Sequence, residues 1–410
     1  MNRSISLQRD ERHLFRCMIV GILKESFPGE RRVAMTPAVV PSLRSAGLEV
    51  MIETQAGARA GHTDEDFRQQ QTLIASSREE LFAAADIIVQ VLALSANPPA
   101  GMKDLELMHA GQLLIAFLRP FASRENILRL AQRQITSFAV ELLPRIPRAQ
   151  AMDALSSMST VAGYKAVLSA ADFLPKMFPM LMTAAATIKP ARIFVIGAGV
   201  LGLQAIATAR RLGGVVQAYD VRPAVKQEVE SLGARFVELP LEADEPKEAG
   251  RYATEKGDSF YQRQRDLLAH VVAQSDVVIT AAVIPGRKAP VLISEEMIKQ
   301  MAPGSVVMDL AAERGGNCAL TEAGKTITKH RVTIASPINI ASSVPVDASQ
   351  MYAKNMSAFV RYLLKDDKIR LDTQDEIIAA TLVTDRGAVV NPRVREFFRL
   401  DASAENRKEG

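Results

Sequence analysis

The stretch Ala191–Asp220, which reads ARIFVIGAGVLGLQAIATARRLGGVVQAYD, decides the fold of this chain. Its first apolar run predicts a buried strand, and three glycines then follow in the order G-x-G-x-x-G at Gly197, Gly199 and Gly202. The alanine-rich segment after them predicts a helix, and VVQAYD predicts a second strand that ends at Asp220. A strand, a glycine turn, a helix and a strand closed by an acidic residue together predict a dinucleotide-binding βαβ unit.

Each residue of this fingerprint has its own expected role. Gly197 permits the tight turn, Gly199 lets backbone amides approach a pyrophosphate, and Gly202 lets the helix pack closely on the strand. Asp220 follows Gly202 by 18 residues, and a carboxylate there accepts hydrogen bonds from ribose hydroxyls and repels a 2′-phosphate. The pattern therefore favours NAD over NADP, although Arg222 nearby is a residue type that can accommodate a 2′-phosphate.

Alternating strands and helices continue on both sides of this unit. Because crossovers of this kind favour parallel sheets, we predict an α/β chain with two Rossmann-like, doubly wound domains and mostly parallel sheets. The segments that carry the alternation are MIVGIL, TPAVVPSLRSAG, LEVMIE, LFAAADIIVQVL and GQLLIAFL in the first series, and RIFVIG, VVQAYD, RFVEL, DVVITAA, GSVVMDL and VTIAS in the second.

The predicted domain boundaries follow from these two series. The helical segment MYAKNMSAFVRYLL, after Asp347, is expected to return to the first domain, and attachment to the second domain is the alternative. The boundaries are a disordered leader over 1–17, a first α/β domain over 18–144 plus about 345–400, an NAD-binding Rossmann domain over 145–344, and a polar tail over 401–410.

The composition excludes several classes of protein. The 410 residues carry 50 Lys plus Arg against 46 Asp plus Glu, a net charge of +4 that is too small and dispersed to indicate a nucleic-acid partner. Cys17 and Cys318 lie far apart without companion histidines, so we expect reduced thiols and no metal site. The longest stretch free of charge, 193–209, is shorter than the roughly 20 residues that a membrane-spanning helix needs, so the chain is expected to be soluble by itself.

A charged segment from Pro240 to Gln264 interrupts the alternation between RFVEL and DVVITAA. Loops of this length inside a compact domain are uncommon and are usually functional or disordered. We expect either an exposed charged helix and loop or a mobile lid that contains Tyr252.

A second polar stretch, PRIPRAQAMDALSS (Pro144–Ser157), precedes the glycine fingerprint by about forty residues. Its two prolines restrict the backbone around Arg145 and favour a rigid extended loop, in which a pinned guanidinium could orient a carboxamide, a ribose or a phosphate. Asp153 and Ser156 have a simpler alternative, which is to cap the helix that follows.

Several segments together resemble the alanine dehydrogenase and pyridine nucleotide transhydrogenase family, and more closely the NAD(H)-binding first domain of proton-translocating transhydrogenase. The resemblance extends from Met18 to about Pro392. Besides the fingerprint and the loop just quoted, it is carried by KESFPGERRVAMTP (Lys24–Pro37), AGYKAV (Ala162–Val167), MLMTAAATIKPAR (Met180–Arg192), the DVR of 220–222, TAAVIPGRKAPVLI (Thr280–Ile293) and DLAAERGGN (Asp309–Asn317).

The resemblance implies a function and a site. It implies a cytoplasmic NAD(H)-binding subunit, peripheral to the inner membrane and homodimeric, that passes hydride to NADP⁺ held by a partner; the proton-translocating, Re/Si-specific enzyme would be completed by NADP(H)-binding and membrane-spanning subunits. The charged end at Gly410 resembles the arrangement in which this domain is a separate subunit. The implied nicotinamide residues are Arg145, Gln150, Asp153 and Ser156, and the predicted cofactor-binding residues are Gly197, Gly199, Val200, Leu201, Gly202, Asp220, Val221, Arg222 and Tyr252.

Two other functions stay open, an amino-acid dehydrogenase and a non-catalytic NAD-binding protein. Hydride transfer between two nicotinamides leaves no proton to shuttle, whereas an amino-acid dehydrogenase needs titratable groups at an imine carbon. The lysine and histidine of the alanine dehydrogenase branch are missing from VQVLALSANPP and IAFLRPFAS, and the five histidines form no acid–base constellation. The chain also departs from the family pattern at Met158, Thr160, Ala341 and Ser343, which puts local contacts in question.

Overall fold

A computed structural model describes residues 17–238, 258–283, 287–365 and 368–400. The predicted tail, nearly all of the leader, and Tyr252 with most of the 240–264 segment lie outside these ranges. In chain order the strands are β1 (Ile19–Ile22), β2 (Glu49–Glu53), β3 (Leu73–Ala75), β4 (Ile87–Leu92), β5 (Leu113–Phe117), β6 (Thr136–Ala139), β7 (Leu181–Met182), β8 (Thr187–Ile188), β9 (Arg192–Ile196), β10 (Val215–Tyr219), β11 (Arg235–Phe236), β12 (Val277–Thr280), β13 (Val306–Asp309), β14 (Thr326–Lys329), β15 (Val332–Ala335), β16 (Leu364–Lys365), β17 (Lys368–Ile369), β18 (Leu382–Asp385) and β19 (Ala388–Val389).

Helices connect most of these strands, as the alternating sequence pattern predicts. They are α1 (Val40–Arg44), α2 (Asp64–Gln69), α3 (Arg78–Ala84), α4 (Gly101–Leu107), α5 (Arg124–Gln132), α6 (Ala154–Phe173), α7 (Val200–Arg211), α8 (Lys226–Ser231), α9 (Asp258–Ala273), α10 (Glu295–Gln300), α11 (Pro345–Leu363), α12 (Glu376–Thr381) and α13 (Pro392–Phe398).

The second large sheet has the strand order β11-β10-β9-β12-β13-β15-β14. All of its pairs are parallel except the edge pair β14–β15. The chain starts in the middle at β9, winds outward through β10 and β11, and returns to the other side of β9 with β12. Such a reversal opens a crevice at the carboxyl ends of β9 and β12, where open α/β sheets bind ligands.

The first large sheet repeats this winding, with the order β19-β18-β6-β5-β4-β1-β2-β3. Strands β1 to β6 are parallel, and their reversal lies between β1 and β4. The structure confirms the predicted fold class of two doubly wound, mostly parallel sheets.

Residues from the far end of the chain complete the first sheet. Strand β18 pairs antiparallel with β6, and β19 pairs with β18. Helix α11 buries Tyr352 and Phe359 in the same core cluster as β1, β2 and β4. The segment after residue 345 therefore packs on the first sheet.

Both sheets are covered on both faces, which explains their apolar strands. In β9, Ile193 and Val195 belong to the core on one face, and Phe194 and Ile196 to the core on the other. Strands buried on both sides read as continuous apolar runs because alternate side chains all enter a core.

Candidate nucleotide site

The glycine turn after β9 has a different steric environment at each glycine. Gly197 has φ of +100°, and a Cβ there would lie 3.0 Å from the carbonyl carbon of Ala281. A Cβ on Gly202 would lie 1.8 Å from the carbonyl oxygen of Gly197, which no side chain can occupy. A Cβ on Gly199 would meet open space. The turn is thus closed where helix meets strand and open where a phosphate would approach.

Helix α7 begins at this open position. Gly199 is its N-cap, and the amide of Leu203 donates to the Gly199 carbonyl at 2.8 Å. The amides that precede Leu203, including those of half-buried Val200 and Leu201, have no acceptor within the helix because the first turn of any α-helix lacks them. These amides and the positive end of the helix dipole suit an anion.

Asp220 closes the crevice at the end of β10. Its side chain is only 7 % exposed, and its Oδ2 accepts a hydrogen bond from the Ala198 amide at 2.8 Å. The half-exposed guanidinium of Arg222 pairs with the same carboxylate, and this hydrogen bonding raises the pKa of Arg222. Val221 packs against the core cluster on one face of the sheet.

The opposite wall follows β12 and is held by a buried polar pair that the sequence-based site residues did not include. Asn317 accepts from the Ala282 amide at 3.0 Å and donates to the Ala282 carbonyl at 2.8 Å. Asp309, fully buried at the end of β13, accepts from the Asn317 amide and from the hydroxyl of Thr280. A carboxylate at the end of a predicted parallel strand was the signal that could have identified it.

A second unpredicted contact supports β10 from below. Gln264 is buried and donates to the hydroxyl of Tyr219 at 2.9 Å. Burial raises the pKa of Tyr219 to about 12, so this phenol stays neutral. Gln264 belongs to the charged segment that the sequence assigned to a loop or lid, but it lies within α9.

The loop before α6 leaves two of its polar side chains exposed. Pro147–Met152 forms a 3₁₀ helix, and within the described residues Arg145 and the Gln150 side chain make no hydrogen bond or ion pair. Asp153 caps α6 by accepting from the amide and the hydroxyl of Ser156, at 2.8 and 2.6 Å. The capping interpretation therefore describes the contacts of Asp153 and Ser156 in this structure.

Contacts with the first sheet unit anchor this loop. Arg148 forms an ion pair with Asp375 at 3.0 Å, and the Asn355 side chain donates to the Ala151 carbonyl at 2.8 Å. Ten residues farther along α6, a Cβ on Gly163 would lie 2.3 Å from the Leu201 carbonyl oxygen, so α6 touches the backbone of α7. Helix α6 thus links the loop physically to the nucleotide helix.

The four departures from the family pattern are accommodated locally. Met158 and Ala341 lie buried in the first core cluster. The Thr160 hydroxyl donates to the Ser156 carbonyl at 3.0 Å, and the Ser343 hydroxyl donates to the Ile340 carbonyl at 2.7 Å.

The corresponding crevice of the first sheet is filled by buried carboxylates. Glu25, three residues after β1, accepts from the Val91 amide at 2.6 Å, and burial raises its pKa to about 8. Glu141 accepts from the Leu118 and Arg119 amides at 3.0 and 2.6 Å, and burial raises its pKa to about 7.

Two polar contacts join the units across their junction. Arg32 pairs with Glu30 and donates to Asn339 at 2.8 Å, while Arg119 pairs with Glu313. Burial acts to raise the pKa of Glu30, but the hydrogen bond and charge of Arg32 lower it to about 2. This glutamate is therefore ionised, in contrast to Glu25.

Metal sites and membrane spans are both absent from the described residues. These residues contain no group of three or more His, Cys, Asp or Glu side chains arranged to hold a metal ion. None of their helices is long and apolar enough to cross a membrane.

Comparison with known proteins decides the family. The N-terminal domain of alanine dehydrogenase/PNT matches residues 21–162, and the C-terminal domain of alanine dehydrogenase/PNT matches residues 166–392. The chain belongs to the alanine dehydrogenase/PNT family. The family match coincides with the two sheet units and the glycine turn described above.

Within this family the chain is more similar to transhydrogenases than to an alanine dehydrogenase. It is 45% identical to the first of the separately encoded portions of NAD(P) transhydrogenase subunit alpha from Rhodospirillum rubrum, over 92% of this chain and 98% of the relative. The crystal structure of transhydrogenase from Sinorhizobium meliloti matches with a TM-score of 0.78 and 41% identity, covering 92% of this chain and 99% of that chain. Alanine dehydrogenase of Mycobacterium tuberculosis is 30% identical, over 92% of this chain and 96% of the relative.

Proposed function

We propose that this chain binds NAD(H) at the glycine turn of its second sheet and passes hydride to NADP⁺ held by a partner subunit. The carrying observation is the turn itself, which is open at Gly199, closed at Gly202 and faced by the Asp220 carboxylate. The residues therefore fit a dinucleotide. The similarity to NAD(P) transhydrogenase subunit alpha of Rhodospirillum rubrum supports the transfer between nucleotides.

Each element of the site receives a role. The first amides of α7, at Gly199 to Leu201, hold the pyrophosphate, and Asp220 with the adjoining Val221 and Arg222 holds the adenosine ribose. Arg145 and Gln150, which are exposed and unpaired within the described residues, turn toward the nicotinamide. Asp153 and Ser156 fix the start of α6 beside it. Tyr252 remains a proposed contact from outside the described ranges.

The chemistry that NADH supplies when bound is a hydride at its nicotinamide ring. The protein's task is to orient the ring and exclude water, since no proton has to move with the hydride. A rigid loop suits this task, and the ion pair of Arg148 with Asp375 holds the loop against the first unit. Residues Glu25 and Glu141 face strand-end amides and take no part in it.

The partners follow from the same proposal. NADP(H)-binding and membrane-spanning transhydrogenase subunits would complete a proton-translocating, Re/Si-specific enzyme, and proton movement would belong to them. The present chain would then lie on the cytoplasmic side of the inner membrane, held there through those subunits.

An exposed apolar surface supports a homodimer. The hairpin β7–β8 exposes every residue from 181 to 189, including Met182 at 71 % and Ile188. Phe173, at the end of α6, is also exposed and lines a cavity of about 310 Å³ with Ile338. Contiguous apolar surface of this kind marks an interaction site, and we propose that a second copy covers it.

The test follows NADH oxidation in two mixtures, one with an NADP⁺-loaded transhydrogenase partner domain and one with pyruvate and ammonium. We expect oxidation only with the partner domain. Oxidation with pyruvate and ammonium would instead establish an amino-acid dehydrogenase, and NADH binding without oxidation in either mixture a non-catalytic binding protein.

A matched pair of variants tests the loop in the same assay. Arg145→Ala should lower transfer at least tenfold, since orientation of the ring is the catalytic task. Arg148→Ala removes an arginine three residues away that pairs with Asp375, and it should leave NADH binding intact. Equal transfer by Arg145→Ala and the unmodified protein would contradict the role of Arg145.

A further inference from the structure

The carboxylate that would bind the adenosine ribose is already saturated by this chain. A carboxylate has about four positions at which it accepts hydrogen bonds. Oδ1 of Asp220 accepts from the backbone N and the Nε of Arg222, both at 2.9 Å. Oδ2 accepts from the Ala198 amide at 2.8 Å and from Nη2 of Arg222 at 3.0 Å. No position is left for a ribose hydroxyl.

These four bonds divide into a fixed and a movable pair. The amides of Ala198 and Arg222 belong to the backbone of the turn and strand end, so they stay in place. The two guanidinium bonds come from the end of a rotatable side chain that is 33 % exposed. A ribose offers two adjacent hydroxyls, which equals the number of positions that the guanidinium can vacate.

We propose that Arg222 is an internal competitor of the nucleotide, and that it must leave Asp220 before a ribose diol can bind there. This inference rests on the proposed NAD(H) function. Glu228 on α8 gives the displaced guanidinium a second carboxylate, since the charge of Glu228 already acts on Arg222 and raises its pKa. Arg222 thereby sets the affinity of the site for nucleotides that carry both ribose hydroxyls.

The competition makes a prediction that a direct contact does not. If Arg222 opposes the diol, removing its guanidinium strengthens binding of a nucleotide with both hydroxyls relative to one that lacks them. Loss of one positive charge weakens both nucleotides alike, so it cancels in this ratio. A partly exposed ion pair contributes up to about 1 kcal/mol, which corresponds to about fivefold in affinity.

The experiment compares Arg222→Met, which keeps the apolar stem, with Arg211→Met, which removes an exposed arginine at the other end of α7. NADH binding is followed by fluorescence, and ADP and 2′,3′-dideoxy-ADP are measured as competitors. We expect the ADP to dideoxy-ADP affinity ratio to rise about threefold to tenfold in Arg222→Met and to stay unchanged in Arg211→Met. Thermal unfolding of both variants verifies that they are folded.

The outcomes separate the two proposals. An unchanged ratio in Arg222→Met, with normal NADH binding by the unmodified protein, overturns the competition and leaves the NAD(H) function standing. A lower ratio shows that Arg222 itself contacts the diol and also overturns the competition. Failure of the unmodified protein to bind NADH or ADP overturns both proposals.

Discussion

The two large sheets have the same winding, yet their crevices are built in opposite ways. In the second sheet the carboxyl end of the central strand carries glycines, and the crevice is open at Gly199. In the first sheet the corresponding region carries Glu25 and Glu141, whose carboxylates bind the amides at the ends of neighbouring strands. The comparison teaches that winding supplies a crevice, while the side chains at the strand ends decide whether it can take a ligand.

Two glycine substitutions give the strongest test of the open crevice. In Gly202→Ala the new methyl would overlap the Gly197 carbonyl oxygen at 1.8 Å, so we expect NADH binding to be lost and unfolding free energy to fall by about 3 kcal/mol. Gly199→Ala meets open space in the protein, so stability should stay within about 0.5 kcal/mol. Its NADH affinity should fall about tenfold, because the methyl lies where the pyrophosphate approaches. Nucleotide titration and thermal unfolding measure both quantities.

Glu25→Gln tests the closed crevice through pH. The folded pKa of about 8 exceeds the ordinary value of 4.5, so the folded state binds more protons than the unfolded state between these values. The unmodified protein therefore loses stability as pH rises from about 4.5 to 8, whereas the variant does not titrate. From pH 5 to 9 the stability difference should shift by about 2–4 kcal/mol in favour of the variant.

A matched control separates this effect from a general response to lost charge. Glu106→Gln removes an exposed carboxylate on α4 and should keep the pH profile of the unmodified protein. NADH affinity should be unchanged in Glu25→Gln, because this crevice binds no nucleotide. Parallel pH profiles for Glu25→Gln and the unmodified protein would mean that Glu25 is ionised when buried.

Glu141→Gln should show the same behaviour over a narrower range. The pKa of Glu141 is raised to about 7, so the stability lost with rising pH is confined to about pH 4.5 to 7. We expect a shift of about 1–3 kcal/mol in favour of the variant across that range. Urea unfolding at pH 5 and pH 8 measures it, and a shift larger than that of Glu25→Gln would reverse the proposed order of the two pKa values.

Asp153 tests the helix that joins the two units. Asp153→Ala removes the cap of α6 and should lower the unfolding free energy by about 1 kcal/mol, while Asp153→Ser keeps a capping oxygen and most of that stability. If the carboxylate also acts at the nicotinamide, both variants lose hydride transfer to a similar extent. Recovery of transfer together with stability in Asp153→Ser would show that capping is the whole role of this residue.

The sequence predicted the open crevice better than the closed one for a physical reason. The requirements at Gly197 and Gly202 are steric and local, so they can be read from spacing alone. Glu25 bonds to an amide 66 residues away, and no local pattern shows that two strands distant in sequence lie side by side. The pairing of Arg222 with Asp220 is local, but the sequence did not say whether this arginine faces the carboxylate or a phosphate.

The return of the chain to the first sheet has a consequence for its biosynthesis. Strand β6 ends at Ala139, but its hydrogen-bonding partner β18 begins at Leu382. At about 5–20 residues per second, a ribosome needs roughly 12–50 s to make the residues between them. During that time the edge of β6 lacks its partner, and an unpaired edge is a template for wrong association. Chaperone occupancy of nascent chains should therefore persist until residues 382–389 emerge.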